Sequence, residues 1–438
     1  MSKKLTLLVV ALLIAGGMVM GAGKAEPAKG KAPEKADIKI IWWGSQTRHE
    51  GTIKVIDLYK QKNPNLGITY EFSSWADYWT KVTTMAAGGQ LPDVMQQDYA
   101  RIAEWVKRGL HVQMDDYLAK KVIDGTDIEP SLIDTGRIDG KLWAINLGSN
   151  SHAMILDVDM FKKAGISLPP KDWTWEDFEK IALQIHEKLG VYGYGVHMWN
   201  DQIWKAIYIS RGEWIYAPDN KSLGYTDDTP FIQYLEMMKR LVKAGAMTPR
   251  QEEISQYAGG TQPEQTPIIF GKAAMQHQWS NQLSAVDKAS GGKRNFALYP
   301  LPRVKGGKSA NYIKASQYFS ISSQSKFPDE AAKFINFFTN DIEANKILMA
   351  ERGVPISSKV QEAVLPLLPP VQKEVFSFVS YISKTGSPCP PPDAPRHGEL
   401  ISNVYQPEVI DKFLFDIIDA PTAAKILREQ GNAVLSKN

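Results

Sequence analysis

Gln96, Gln97, Asp98 and Tyr99 stand directly after the short apolar run Val94-Met95. Two amides and a carboxylate offer both donors and acceptors, which is what a polyhydroxylated ligand requires. The residues just upstream say where these groups sit. Ala86-Ala87-Gly88-Gly89-Gln90-Leu91-Pro92-Asp93 ends a helix, because glycine and proline do not continue one, and the strand that follows stops in the polar residues. Open α/β sheets bind ligands outside the carboxyl ends of their strands, so the pattern predicts a binding surface. Trp43, Arg48 and His49 occupy a comparable place, between the β-branched and aromatic run Ile38–Trp43 and the start of the next helix. Strand alternation sends Trp42 and Trp43 to opposite faces, so Trp43, nearer the loop, is the candidate. Arg48 or His49 in a first helical turn is suited to a carboxylate, with the helix dipole assisting.

Twelve tryptophans and seventeen tyrosines exceed what packing alone requires, even if half of them are core. Indole and phenol faces stack on the C–H faces of sugar rings, which points to carbohydrate. Catalysis finds less support. Glycoside hydrolysis needs two carboxylates across one bond, and nothing in the spacing of Glu71 or Asp77 pairs either with Asp98. The seven histidines are scattered without a His-Glu-x-x-His, and neither a nucleophile elbow nor a phosphate loop is present, so no catalytic residue, metal site or cofactor is predicted. Cys389 is the single cysteine, which rules out an intramolecular disulfide. The formal net charge is +3, and +1 once Lys3 and Lys4 leave with an N-terminal leader, so neither nucleic acid nor an anionic membrane is implied.

These residues need a scaffold, and the chain outlines one. Residues 1–23 have the charged, apolar, small-residue order of a secretory signal peptide, and residues 24–36 are a charged, Pro/Gly-containing tether. No cysteine lies near the cleavage region, so a soluble exported protein without a lipid anchor is expected. Strands around 38–43, 67–72 and 93–96 alternate with helices, which predicts a parallel sheet with right-handed crossovers. Ile138-Asp139-Gly140-Lys141 reads as a hairpin turn, and Thr174 with Asp177 as a capped helix start. A change of element pattern near Ala153 marks a lobe boundary, and 438 residues are enough for two lobes.

Six segments in order, Gly88–Val94, Asp139–Trp143, Phe161–Gly165, Pro169–Trp173, Gly271–Met275 and Asp329–Phe334, resemble the first family of extracellular solute-binding proteins, the group that contains the maltodextrin-binding protein. The likeness covers nearly the whole mature chain. It implies an α/β, two-lobed periplasmic-binding-protein fold of type II, each lobe a mainly parallel sheet flanked by helices, with three hinge crossings near 147–150, 316–320 and 362–370. The lobes implied are 37–148 with 317–365, and 149–316 with 366–438. The resemblance further implies an oligosaccharide held between the lobes of a monomer, outside the cytoplasm, and delivery to the transmembrane subunits of an ABC permease. Residues Trp42–His49 are similar to the opening of the subgroup that binds oligogalacturonides. A neutral oligosaccharide, and a secreted hydrolase or lyase, are the alternatives. Matched to family positions, Gln96–Tyr99 form the sugar-contacting loop. Trp199, Asn200 and Trp204 follow the second-lobe strand, Trp279 takes the aromatic cleft position, Asn150 lies just past the hinge, and Arg396 is in a late loop that closes over ligand. Two departures stand out: Gln96–Tyr99 replace an aromatic of the maltodextrin binder, and no lipid-anchoring cysteine follows the leader.

Overall fold

The computed structural model describes residues 36–44, 46–196, 198–257 and 263–437. The leader and the tether, apart from Ala36, lie outside the described residues. No helix among the described residues is long and apolar enough to cross a membrane.

The first sheet is built on β1 (Asp37–Trp43), which pairs in parallel with β2 (Gly67–Ser73) on one side and β3 (Val94–Gln97) on the other. Helix α1 (Gln46–Lys62) connects β1 to β2, and α2 (Trp75–Ala87) connects β2 to β3. Gly88 caps α2, and Gly89 at φ 65° reverses the chain toward β3, as the glycine pair predicts. Alternation along β1 fills two separate layers. Ile40 and Trp42 pack with Val55, Ile56, Phe319 and Phe334, whereas Ile41 and Trp43 pack with Tyr78, Trp79, Met95 and Trp105. Past β3, a short helix α3 (Ile102–Lys107) buries Ile102 and Trp105. The hairpin of β4 (Arg137–Ile138) and β5 (Lys141–Leu142) turns through Asp139 at φ 51° and Gly140 at φ 78°, both positive as a two-residue turn matched to strand twist demands.

Strands β6 (Ile145–Asn146), β7 (Ser149–Asn150) and β8 (His152–Asp157) then lead out of the first sheet. The second sheet runs β11 (Phe296–Tyr299), β8, β10 (Ala273–Trp279), β9 (Tyr192–Tyr194). Its faces are covered by Met154, Leu156, Met275 and the largely buried helix Asp201–Arg211 on one side, and by Ala153, Ile155, Leu298 and Val379 on the other. Strand β12 (Lys314–Ala315) pairs with β7 in a two-stranded ribbon, and β13 (Tyr318–Ile321) re-enters the first sheet between β3 and β6.

The expectation of mainly parallel sheets holds for β2-β1-β3 and for β9-β10, and is corrected elsewhere. Strand β8 runs antiparallel to β10 and β11, and β13 antiparallel to β3 and β6. The cause is direction of travel. β8 leaves the ribbon region while β10 and β11 return toward it, with His152 opposite Trp279, and β13 departs where β3 ends, with Tyr318 opposite Gln97.

Three chain segments meet where the sheets adjoin. Ser316 N donates to Gly148 O at 2.7 Å, and Ser149 exchanges two backbone hydrogen bonds with Val354 at 2.7 and 3.0 Å. Gly353, at φ 104°, lies so close that a Cβ would stand 2.7 Å from Ser149 O. Only glycine fits that conformation and that contact.

Candidate functional site

The carboxyl ends of β1, β3 and β10 and the β7–β12 ribbon surround a cavity of about 380 Å³. The first sheet contributes Trp43, Arg48, Trp75 and Asp98, the second contributes Trp279 with Asn281, and the ribbon and its continuation contribute Asn150, Lys314 and Gln317. A groove of about 460 Å³ between the helices Trp175–Leu189 and Thr229–Lys243 shares no lining residue with this cavity, and its Arg240 and Glu179 pair with each other at 2.7 Å.

On the first wall, Trp43 is 6 % exposed and acts as a backstop. Its ring meets Trp75 and Tyr78 edge-on, each at 4.9 Å between centroids. Trp75, 42 % exposed, is the indole that faces outward. It is the first residue of α2, which Ser74 caps by accepting from Asp77 N at 3.3 Å. The Arg101 guanidinium lies over Trp79 at 4.7 Å and Trp75 at 5.8 Å, which stiffens this aromatic group.

Gln96 and Gln97 point to opposite faces of β3. Gln96 is fully buried; its Oε1 accepts from Arg352 at 2.6 Å and its Nε2 donates to Trp43 O at 3.3 Å, so it supports the strand end. Gln97 is also fully buried, and neither amide atom has a hydrogen-bond partner. Asp98 lines the cavity while its Oδ1 accepts from Ala100 N at 2.9 Å. Tyr99 reaches the late proline-rich loop, its hydroxyl donating to Pro390 O, and burial pushes its phenol well above the usual range.

Arg48 and His49 part company. Arg48 lines the cavity, but its Nε donates to both carboxylate oxygens of Glu351, at 3.2 and 3.0 Å. His49 is drawn inward: Trp42 Nε1 donates to its Nδ1 at 3.0 Å, and its ring stacks on Phe72 at 4.1 Å. Burial, then the Arg48 charge, hold its pKa below the ordinary histidine value, so it is a neutral packing residue.

Arg352 sits behind this wall, fully buried, donating to Gln96 Oε1 at 2.6 Å, Gln317 Oε1 at 2.9 Å and Thr52 Oγ1 at 2.8 Å. Its guanidinium lies over Phe319 and Phe338. Burial, then the neighbouring Arg48 charge, pull its pKa down to about 9, which leaves it charged at neutral pH.

On the second wall, Trp279 ends β10 beside its cross-strand neighbour His152, with ring centroids 3.7 Å apart. The Lys314 ammonium stands 4.3 Å from the Trp279 centroid. His152 Nδ1 faces His277 Nε2 at 3.1 Å, and burial, then His277, hold His152 well below its ordinary pKa and therefore neutral. Asn150 Nδ2 donates to Asn281 Oδ1 at 3.0 Å, and its own Oδ1 has no partner.

The structure therefore brings together Trp43, Arg48, Asp98, Asn150 and Trp279 around the cavity, and places Trp199, Asn200, Trp204 and Arg396 away from it. Trp204 is fully buried, stacked on Tyr405 at 5.2 Å. Trp199 is 8 % exposed, donates to Glu253 Oε1 at 2.7 Å and lies under Arg250. Asn200 caps the helix Asp201–Arg211 by accepting from Gln202 N at 2.8 Å. Arg396 bonds Lys437 O at 3.0 Å and Glu399 at 2.5 Å near the C-terminal helix. Each of these four is engaged within the part of the chain that packs around the second sheet. Trp75, Asn281, Lys314 and Gln317 were not singled out by sequence; Trp75 alone carries a local signal there, a serine-capped helix start directly after a strand.

Chemically, the cavity can stack rings, exchange hydrogen bonds with hydroxyls and hold charge. Among the described residues, no group of three or more histidine, cysteine or acidic side chains is arranged to hold a metal.

The chain belongs to the bacterial extracellular solute-binding protein family, whose sequence profile matches residues 43–344. It is 23 % identical over 365 residues to the arabinooligosaccharide-binding protein of Bacillus subtilis (strain 168), covering 80 % of each chain. Among solved structures it is similar to an extracellular solute-binding protein of family 1 from Alicyclobacillus acidocaldarius, with a TM-score of 0.73, 27 % identity, and coverage of 93 % of this chain and 100 % of that one. It shares its fold with a periplasmic oligogalacturonide-binding protein from Yersinia enterocolitica, solved with saturated digalacturonic acid, at a TM-score of 0.78, 22 % identity, and coverage of 91 % and 98 %.

Proposed function

We propose that this chain is the substrate-binding component of an ABC importer, capturing an oligosaccharide outside the cytoplasm and handing it to a membrane permease. In this reading residues 37–148 with 317–365 form one lobe, 149–316 with 366–438 form the other, and closure about the β7–β12 ribbon grips the sugar. Hinges of this kind absorb the motion in a few residues while the lobes move as rigid bodies. The observation that carries the reading is the cavity itself: indoles on both walls, Trp75 backed by Trp43 and Trp279 opposite, with Asp98, Asn150 and Gln317 beside them. Aromatic platforms with a few placed polar groups suit a sugar's apolar faces and its hydroxyls. Asn150 Oδ1, buried without a protein partner, adds an acceptor for a hydroxyl. Relatives named for arabinooligosaccharide and oligogalacturonide binding support the ligand class.

The test is a thermal-shift screen of neutral and uronate-containing oligosaccharides, followed by calorimetry and a reducing-end assay on the best ligand. Saturable binding with the sugar recovered intact is expected. Absence of binding across the panel overturns the reading, and accumulation of new reducing ends would make the protein an enzyme.

A further inference from the structure

The cations that line the cavity differ in one respect. Arg48 is neutralised by Glu351, which accepts from it with both carboxylate oxygens. Lys314, half-buried on β12, has no carboxylate within salt-bridge distance among the described residues; its ammonium rests over the Trp279 ring at 4.3 Å. The cavity's carboxylate, Asp98, is turned to the Ala100 amide of its own loop. A lysine in a partly desolvated cleft without a counter-charge is an anion-seeking group, because a charge-assisted hydrogen bond there is stronger than a neutral one.

The surroundings extend the argument. Gln317, three residues on and also lining the cavity, has its Oε1 taken by Arg352, so the Gln317 amide meets a ligand as a donor. Asn150, paired across the ribbon with Lys314, has its Nδ2 committed to Asn281 and its Oδ1 available as an acceptor. One segment, Lys314–Gln317, thus presents an ammonium and an amide donor beside an indole. That combination matches a sugar ring bearing a carboxylate better than one bearing only hydroxyls.

We propose that Lys314 is the carboxylate receptor of the cavity, and that it, rather than Arg48, makes this protein prefer a uronic-acid residue to the corresponding neutral sugar. The proposal rests on the oligosaccharide-binding reading above and specifies the ligand's charge. The ribbon position gives it a further property. Lys314 lies on the strand that joins the two sheets, so its charge is presented to the ligand whichever half moves on closure.

The experiment compares digalacturonic acid with the α-1,4-linked galactose disaccharide, which differ only in carboxylate against hydroxymethyl, by calorimetry on the full chain at low and high salt. The wild type is expected to bind the acid roughly ten-fold or more tightly than the neutral disaccharide at low salt, with the ratio shrinking as salt rises. Lys314→Gln is expected to bring the ratio close to one. Lys314→Arg keeps the preference. An acid-to-neutral ratio unchanged in Lys314→Gln overturns the assignment, as does a wild type that binds neutral sugars without acid preference; in both cases sugar binding itself stands. If the wild type binds no sugar of the panel, the broader reading falls and takes this one with it.

Discussion

Removing the Arg352 guanidinium probes stability and the cavity together. The side chain is fully buried, and three acceptors depend on it: Gln96 Oε1 at 2.6 Å, Gln317 Oε1 at 2.9 Å and Thr52 Oγ1 at 2.8 Å. Among the described residues no carboxylate accepts a hydrogen bond from it, and Glu351 acts only through its nearby charge, so part of the cost of burying the guanidinium goes uncompensated and its removal recovers some free energy. Against that, Arg352→Ala leaves three buried acceptors unpaired, at about 1–3 kcal/mol each, and opens a void beside Phe319 and Phe338. A net loss of about 3–5 kcal/mol is the expected balance of the unpaired acceptors and the void against the recovered desolvation. With roughly 400 residues and an unfolding entropy near 2 cal/mol/K per residue, that corresponds to a fall in Tm of about 4–6 °C. Arg352→Met fills most of the volume and lets the Gln96 and Gln317 amides bond each other, so it should lose about half as much. Urea unfolding and calorimetry measure the stability. Sugar affinity of the folded Arg352→Met variant measures the second consequence, since a Gln317 amide turned to bond Gln96 no longer presents its donor to the ligand. A loss below about 1 kcal/mol in Arg352→Ala, or unchanged affinity in Arg352→Met, would refute the reasoning that this cation organises the strand ends.

Trp279→Ala should weaken binding of the best oligosaccharide about 30-fold, or about 2 kcal/mol, as loss of a central aromatic anchor does; calorimetry showing unchanged affinity would remove Trp279 from the site. Trp204→Ala should act in the opposite sense, lowering stability by about 3–5 kcal/mol while the folded protein keeps its affinity, because the ring is core. Acid should destabilise the fold through buried histidines. His111 is held at about 3 by burial, against 6.5 when solvated, so below pH 6.5 the unfolded chain binds a proton that the folded one refuses. Stability is then lost as pH falls from about 6.5 toward 3, by up to about 1.4 kcal/mol per pH unit for this group. His152 and His49, also lowered, add in the same direction. His111→Gln should flatten the acid limb of the stability profile measured by urea titration.

The sequence alone determined the local chemistry. Gly88 and Gly89 end a helix, Asp139-Gly140 turn a hairpin, and Thr174 with Asp177 cap a helix, each through backbone geometry confined to a few residues. The β-branched run of β1 set its strand, and alternation separated Trp42 from Trp43 before any neighbour was known. The family fold was legible because its short motifs stand in order along the chain.

Tertiary structure decided which aromatics and charges face the cavity. Trp199, Trp204, Asn200 and Arg396 stand at strand ends or in loops as plausibly as Trp279 does, but Glu253, Tyr405, a helix amide and Glu399 engage them. Those partners come from distant chain segments in all but the Asn200 and Arg396 contacts, which no periodicity reports. Arg48 and Lys314 show the same limit for charge. Both are cations in the sequence, yet Glu351, some 300 residues from Arg48, neutralises one and leaves the other over an indole. The direction of β8 and β13 likewise followed from where the chain crosses between sheets. A side chain's type fixes what it can bond; only the folded chain fixes what reaches it first.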